Sequence, residues 1–561
     1  MNTQPTHDPR LAFSLRVSPP AAAPPSIARE WWLALAVATA AMALYWASLL
    51  PTVGFVDAPR YCAFVHQNYL GVASIDHPLF ILLAKPFSWL PWGDLGYRTN
   101  LASAFFGALA AGLTTLLVLR NTGNRYGGVV AGLAFATSYD LWWLSTEAEV
   151  YSLAVALLFA ALLFLIGRPA GRTPAPGRAF FLAGLAVVNH QAAIFALPPM
   201  ALYLWRLSPA EDRRRALLTA TGALTLGFAP YVLLFLGHGV ADGWSPTIHQ
   251  MTGGEFQSAL LAPLGLRGYA RVLGFLIVIT GYQFYPFHTL VWIIGALHLW
   301  RRDPRRTLLL GGVAGLNALF VVLYDVPDRI FFYLPSFAIC ALFLGEGLAL
   351  VDRTTRRGNR WARRLLLVML TLPVFGKMLH YRLAADFIRV WLGGETALFD
   401  RIEAEASGDF PLILPRIPGR DDLAYYINPD KKGIRAAEKY RHLLERAPAG
   451  ALVVDDWYHG YAVMHDYYQG IYGVRPDVDV VRWFERWGGT PAERDAKATE
   501  IIAALESGRP VLVATDQYPS STLRDRLEDC GHHLEAFEAL EGSALVRPAR
   551  GRSPLDHRDR P

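Results

Sequence analysis

The distribution of charge along this 561-residue chain decides its class of fold before any motif is read. Residues 1–380 hold 46 charged side chains, and the much shorter stretch 381–561 holds 54. A soluble globular chain carries about 25% charged residues, so the first part has half the usual density and the second part more than the usual. Apolar runs long enough to cross a bilayer occur only in the first part. The sequence therefore reads as an α-helical polytopic membrane domain over 31–380, with a disordered, Pro/Ala-rich cytoplasmic N-terminus over 1–30 before it and a soluble α/β domain over 381–561 after it. The net charge of +6 divides into +12 before residue 381 and −6 after it. The excess base lies in the membrane part and is no sign of a nucleic-acid partner. Cys62, Cys340 and Cys530 form no CxxC pair, which excludes a zinc ribbon and a disulfide scaffold; a Cys62–Cys530 bridge stays open.

WWLALAVATAAMALYWASLL at 31–50 is long enough to span, and it follows a thirty-residue leader, which favours an uncleaved helix over a signal peptide. Further runs lie at about 98–119, 127–143, 150–166, 179–205, 216–236, 284–300, 307–324, 330–350 and 365–380. The connections 120–126, 167–178, 206–215, 300–306 and 351–364 hold 19 arginines and four acids, whereas 51–98, 143–149, 237–271 and 325–329 hold six basic residues and nine acids. Arginine-rich loops stay cytoplasmic, so the N-terminus faces in and the C-terminal domain faces out. The run 179–205 joins two cytoplasmic loops, yet 27 residues cannot cross a core of about 30 Å twice. A hairpin that dips in, with Asn189, His190 and Gln191 at its tip, satisfies both facts and implies a hydrated cavity open to the outer face. Residues 77–92 read as an interfacial helix, and the total is about eleven membrane helices.

After 381 short apolar runs alternate with amphipathic stretches: GALVVDD, VDVVRW, VLVATD, LEAFEAL and SALVRPA, with helical patterns at 490–508 and 520–531. This alternation predicts a largely parallel sheet, with Asp455, Asp456 and Asp516 at carboxyl ends of strands. Each of these acids is also an ordinary turn or cap residue.

The outward-facing charged and polar residues are few. The first outer loop carries Asp57, Arg60, Asp76, His77, Lys85 and Arg98, and the next junction carries Glu147, Glu149 and Tyr151. The hairpin adds Asn189 and His190, and the fourth outer loop adds Trp244 and His249. A carboxylate beside an outward cavity with cations nearby suits transfer of a sugar from a lipid-linked phosphate. That reaction needs a base for the acceptor hydroxyl and fixed donors for the departing phosphate. Asp57 is the candidate base; Arg60, His77, Lys85, Arg98 and His190 are candidates for the phosphate. Competing structural readings exist: Asp57 as a cap, Arg98 as an interfacial anchor, Glu147 and Glu149 as acids at a helix N-terminus.

In order along the chain, these residues resemble the protein O-mannosyltransferase-like family of GT-C membrane glycosyltransferases. The family's Asp-Ser-Gly-Glu-like element and His-Pro-Pro read here as Asp57-Ala58-Pro59-Arg60 and His77-Pro78-Leu79. Its Arg-x-Asn-Leu-x-Ser reads Arg98-Thr99-Asn100-Leu101-Ala102-Ser103, its Glu-Val-Tyr reads Glu149-Val150-Tyr151, and its Asn-His reads Asn189-His190. Trp244-Ser245-Pro246 with His249 to Phe256, Phe332-Tyr333-Leu334-Pro335 and Gly473-Val474-Arg475-Pro476-Asp477-Val478 complete the series. The resemblance implies a GT-C-like fold, a polyprenyl-phosphate-linked sugar as donor, an inverting transfer, Asp57 as catalytic base and Glu149 as a second catalytic residue. Arg60, His77, Lys85, Arg98, Glu147, Tyr151, Asn189, His190, Trp244 and His249 are then the donor and substrate contacts. The departure is Arg60, which replaces the motif's second acid. One carboxylate is a poor home for a hard cation, so the expectation is no metal and no cofactor beyond the donor.

The leading reading is a glycosyltransferase in the lipid bilayer, acting on a protein or glycan hydroxyl outside the cytoplasm, without a nucleic-acid partner. A bacterial plasma membrane with a periplasmic tail is the expected setting, and an endoplasmic reticulum membrane is the alternative. A non-catalytic lipid-sugar-binding component is the second reading. A transporter is the third, although the spans carry almost no deep acids.

Overall fold

The computed structural model describes residues 27–54, 57–167, 174–254, 265–324, 326, 329–356, 358–391, 428–456, 464–483, 491–513, 521–536 and 544–548. Expectations for residues 1–26, Glu255, Phe256 and Asp516 lie outside the described residues.

Among the described residues six helices are long and apolar enough to cross a membrane: Ala28–Ala47, Leu95–Thr122, Arg213–Asp242, Gly265–Arg302, Pro304–Leu323 and Leu334–Thr355. The chain is thus an integral membrane protein. The other runs form shorter helices, such as Arg125–Ala136, Tyr151–Leu165 and Pro176–Asn189, and the count of eleven is not reached on this measure. Helix Leu95–Thr122 is the buried centre and packs on Ile27–Ala47, Arg125–Ala136 and Tyr151–Leu165. Small residues let backbones meet: Gly295 and Gly347 lie where a Cβ would strike the facing helix's main chain. Peripheral helices turn leucines such as Leu218, Leu226 and Leu233 outward, as a lipid-facing surface requires.

The hairpin is present in a particular form. Helix Pro176–Asn189 stops at His190, a 3-10 turn spans Gln191–Ala196, and helix Leu197–Leu207 returns. The two arms pack on different neighbours, the first on Tyr151–Leu165 and Arg213–Asp242, the second on Pro304–Leu323. A second break lies in helix Gly265–Arg302, where Tyr285 takes φ 60° ahead of Pro286. The carbonyls of Tyr282 and Gln283 lose helical partners there, and the buried Lys377 ammonium caps both. Helix Arg360–Trp391 runs straight through the change of charge at residue 380, and the Tyr381 hydroxyl inside it donates to the carbonyl of Thr137 at 2.9 Å.

Beyond that helix a five-stranded sheet comprises β1 (Leu452–Asp456), β2 (Asp479–Trp483), β3 (Val511–Val513), β4 (His532–Ala536) and β5 (Ala544–Pro548), in the order β2-β1-β3-β5-β4. Strand β1 runs parallel to β2 and β3, but β5 is antiparallel to both β3 and β4. The sheet is mixed rather than largely parallel, because the seven residues between β4 and β5 are too few for a crossover. Asp455 and Asp456 close β1.

The Gly-Val-Arg-Pro-Asp motif is a clamp. Arg475, at φ 50°, donates to the carbonyls of Leu444, Ala447 and Pro448 at 3.0, 2.8 and 3.1 Å, and pairs with Asp477 at 2.8 Å. It thereby satisfies the orphan carbonyls after helix Ala436–Arg446, where a cation also suits the helix dipole. The tail is fixed to the bundle by specific bonds: the amides of Leu95 and Gly96 donate to the hydroxyls of Tyr472 and Tyr467, each at 3.1 Å. The Cys62–Cys530 bridge is not formed; all three cysteines are free thiols.

Candidate active site

The segment leading to Asp57 is held from several sides. The Leu50 amide donates to the Thr146 carbonyl at 3.0 Å, and the Asn100 amide group donates to the carbonyls of Leu50 and Thr52 at 3.0 and 2.8 Å. Thr52 donates to Asp94, which itself caps helix Leu95–Thr122 through the Tyr97 amide. Gly54 has no room for a Cβ because the Glu147 carboxylate fills that place. Asp57 then stands at the N-cap position of helix Ala58–Gln67, yet its side chain makes no capping hydrogen bond. The carboxyl is therefore not committed to the structural role that competes with catalysis. Burial pushes it up to about 6, against the pull of Arg60 and a side-chain hydrogen bond from Tyr61. At neutral pH such a group is ionised and a stronger base than an ordinary aspartate.

Arg60 does not turn back onto Asp57. Its Nη2 donates to Asp76 Oδ1 at 2.8 Å, and its guanidinium lies over the Phe64 ring at 5.1 Å. Asp76 is 3% exposed and takes the Ala73 amide on Oδ2 at 2.7 Å. Asp57, Arg60 and Asp76 thus form one cluster of charge.

The next residue begins a neutral socket. His77 holds φ 48° before Pro78, a strained conformation of the sort found at functional sites. Its Nδ1 lies 2.7 Å from the carbonyl of Asn189, which can only accept, so Nδ1 carries the proton. Burial holds its imidazole down at about 4, and the ring is neutral. It stacks on His190 with centroids 5.1 Å apart, and Tyr151 and Phe332 close around His190 at 5.0 and 5.4 Å. The Ala192 amide donates to His190 Nδ1 at 3.2 Å, which leaves Nε2 as that ring's N–H. Tyr61 meets the edge of His77 at 5.8 Å and joins this socket to Asp57. Asn189, fully buried, donates to the Val150 carbonyl at 3.0 Å.

Below the socket lies a small recess, lined mainly by apolar groups between helices Tyr151–Leu165 and Pro304–Leu323. Tyr151 and His190 stand at one end, and Ala154 and Leu158 follow one and two turns further into the membrane.

The remaining candidates sit as follows. Glu149 is 8% exposed, with its backbone held on both sides by the Ser103 hydroxyl. Glu147 is wholly buried in an ion pair with Lys431, which comes from the tail. Lys85 donates to the Val65 carbonyl at 2.6 Å and so caps helix Ala58–Gln67. Arg98 donates to the carbonyls of Ser88, Leu90 and Asp94 at 2.6, 3.1 and 3.1 Å. Trp244 and His249 lie exposed on the short helix Trp244–Met251, which is tied over the hairpin by the Gln191 amide on the Met251 carbonyl at 3.1 Å. The structure therefore unites Asp57, Arg60, His77, Tyr151, Asn189 and His190, and holds Lys85, Arg98 and Glu147 in contacts with the protein itself. Sequence reading assigned no role in the site to Asp76, to Lys431, or to Asn317, which lines the recess. Asp76 carried a signal, an acid abutting a His-Pro step; Asn317 and Lys431 carried none.

Comparison with known proteins places these observations. Residues 70–212 match the family model described as Protein O-mannosyl-transferase TMEM260 N-terminal domain. That match contains His77, Glu149, Tyr151, Asn189 and His190, whereas Asp57 and Arg60 lie before it. The chain is 29% identical over 320 residues to Protein O-mannosyl-transferase TMEM260 of Mus musculus, which covers 51% of this chain. It spans 45% of that relative, less than half its length. Among solved structures, ArnT from Cupriavidus metallidurans bound to undecaprenyl phosphate has a TM-score of 0.53 at 14% identity, over 92% of this chain and 97% of that one. The same protein in the apo state has a TM-score of 0.54 at 14% identity, over 92% and 98%. The resemblance to the O-mannosyltransferase-like glycosyltransferases is thus met again in a family model over residues 70–212 and in a relative over half of the chain, and the fold is similar to that of ArnT.

Proposed function

We propose that this chain is a membrane glycosyltransferase that moves one sugar from a polyprenyl-phosphate donor to a hydroxyl of a protein or glycan on the extracytoplasmic side. The observation that carries this reading is the pairing of an uncommitted, partly desolvated Asp57 carboxyl with an apolar recess headed by His190 and Tyr151. The lipid lies along the recess and its phosphate reaches the socket. Asp57 takes the proton of the acceptor hydroxyl; the oxygen attacks the anomeric carbon from the face opposite the phosphate. The bond from that carbon to the phosphate oxygen breaks, the polyprenyl phosphate leaves, and configuration inverts. Arg60 and the Nε2–H of His190 meet the charge that builds on the phosphate, where an apolar setting strengthens each contact. Asp76 already has both oxygens engaged and Arg60 supplies positive charge, so the transfer runs without a metal ion. The arginine distribution supports a cytoplasmic N-terminus and a tail on the opposite side, and a bacterial plasma membrane with a periplasmic tail is the proposed setting.

The test is transfer from a radiolabelled polyprenyl-phosphate sugar to total membrane acceptors, by wild type and Asp57→Asn, with and without chelator. Expected are activity in wild type that chelator leaves unchanged, and a loss of at least about 100-fold in the variant. Full activity in Asp57→Asn would remove the base assignment. Binding of the lipid without any transfer by wild type would favour the non-catalytic reading.

A further inference from the structure

We propose that Asp76 is the positioning residue that holds the Arg60 guanidinium beside Asp57, side-on to the phosphate of the lipid donor. The inference rests on the donor-binding part of the function proposed above, and it starts from a conflict in the sequence. Asp57 and Arg60 are three residues apart on the first turn of one helix, the spacing at which opposite charges pair with each other. An Arg60 folded onto Asp57 would neutralise the base and occupy itself. The structure avoids this. Asp76 arrives from the loop before Pro78 and takes Arg60 Nη2 on Oδ1 at 2.8 Å.

Asp76 is itself immobile. Its other oxygen accepts the Ala73 amide at 2.7 Å, and its carboxylate lies where Gly71 would carry a Cβ. The guanidinium is fixed on a second side by the Phe64 ring, 5.1 Å from its centre, and stays 22% exposed. One of five N–H donors is spent on Asp76 among the described residues, so the fork keeps the geometry for side-on contact with a phosphate.

The charged and titratable neighbours are few. Asp57 feels Arg60, Tyr61 and Asp76. Asp76 feels Arg60 and, from helix Arg213–Asp242, His238, whose own Nδ1 is 2.8 Å from Asp242. Arg60 lowers the Asp57 carboxyl and Asp76 raises it. Asp76 therefore both aims the cation and keeps the base strong. Where the related motif has an acid at this place, this chain has a cation with its own buried counter-ion.

The full-length protein in nanodiscs, as wild type, Arg60→Gln, Arg60→Lys, Asp76→Asn and the double variant Arg60→Gln/Asp76→Asn, is titrated with undecaprenyl phosphate, and transfer is followed against pH. Arg60→Gln should weaken binding about tenfold or more, and Arg60→Lys, which keeps charge but loses the fork, should fall between it and wild type. Asp76→Asn should weaken binding several-fold, and the double variant should bind no worse than Arg60→Gln alone, because Asp76 acts through Arg60. The acidic limb of the pH profile should move up in Arg60→Gln and down in Asp76→Asn, a pair of opposite shifts that loss of packing would not produce. Wild-type affinity in Asp76→Asn, Arg60→Lys equal to Arg60→Gln, additive losses in the double variant, or limb shifts of the same sign would each overturn the proposal. The lipid titration needs no turnover, so a wild type that binds undecaprenyl phosphate and transfers nothing would defeat the enzymatic reading while leaving the binding role of Asp76 measurable.

Discussion

Lys431→Met tests how the tail and the loop that leads to Asp57 are joined. The Lys431 side chain is 0% exposed and its partner Glu147 1% exposed. The ammonium also stands 3.1 Å from the centre of the Trp143 ring and donates to the Trp143 carbonyl at 3.3 Å. Removing one member of a buried ion pair costs about 3–5 kcal/mol, because the survivor stays buried without its counter-charge. Methionine keeps most of the aliphatic stem, so the loss is electrostatic rather than a cavity. In Lys431→Met/Glu147→Gln no charge is orphaned, and that variant should lie within about 1–2 kcal/mol of wild type. The cycle of four proteins should then give a coupling of about 4 kcal/mol or more in denaturant unfolding followed by tryptophan fluorescence. The Glu147 carboxylate packs against Gly54, three residues before Asp57, so the single variant should also lose sugar transfer at temperatures where it stays folded. Stability of Lys431→Met within about 1 kcal/mol of wild type, or a double variant as poor as the sum of the singles, would refute the reasoning.

The remaining expectations concern other parts of the chain. Lys377→Met strips the cap from the carbonyls of Tyr282 and Gln283 at the Pro286 break and should cost about 2–4 kcal/mol in the same unfolding assay; a neutral result would mean that water replaces the ammonium. Arg475→Ala opens the clamp after helix Ala436–Arg446 and should lower amide-exchange protection there roughly tenfold while transfer persists. His77 is held at about 4, below its ordinary 6.5, so the folded chain binds fewer protons than the unfolded chain between those values. Its contribution to stability is whole above pH 6.5 and is lost as pH falls towards 4, about 3 kcal/mol in all. Asp57 works in the opposite sense: pushed up from 3.8 to about 6, it costs stability as pH rises through that window. His77→Gln should flatten the acid-side loss in unfolding measured between pH 7 and 4, and an unchanged slope would contradict the neutral ring.

What could be read from the sequence was whatever leaves a one-dimensional mark. Apolar length located the long helices, and the shortfall of the 179–205 run against bilayer thickness located the break at His190. Alternation located all five strands, but their pairing was only half legible, since the direction of β5 depends on a connection length rather than on side-chain pattern. In the site, residue type proved a weaker guide than surroundings. Lys85 and Arg98 have the charge that a phosphate needs, yet the nearest unsatisfied carbonyls claim both. Glu147 lies two residues before Glu149 in the same connection, and Lys431, 284 residues away, decides its role. No local pattern encodes a partner at that distance.

The division of labour in the site follows from the same physics. The segment that matches the O-mannosyltransferase family model supplies the socket: His77 neutral, Asn189 and Tyr151 uncharged, and an apolar recess beneath. A socket of that kind can be buried cheaply, but it contributes little charge. Of the ionic groups beside it, Asp76 lies inside that segment, whereas Asp57 and Arg60 lie before it. Asp57 and Arg60 stand at the start of helix Ala58–Gln67, where the Arg60 guanidinium stays partly exposed and is less costly to maintain in the empty protein. The loop that leads to them must then be fixed by something other than its own packing. The clamps on residues 48–54 meet that need: Asn100 and Thr146 from the bundle, Glu147 against Gly54, and from the tail the Lys431 amide donating to the Ser48 carbonyl at 3.0 Å. The tail is thus a part of the scaffold of this candidate site, because one of its residues touches the strap that carries Asp57.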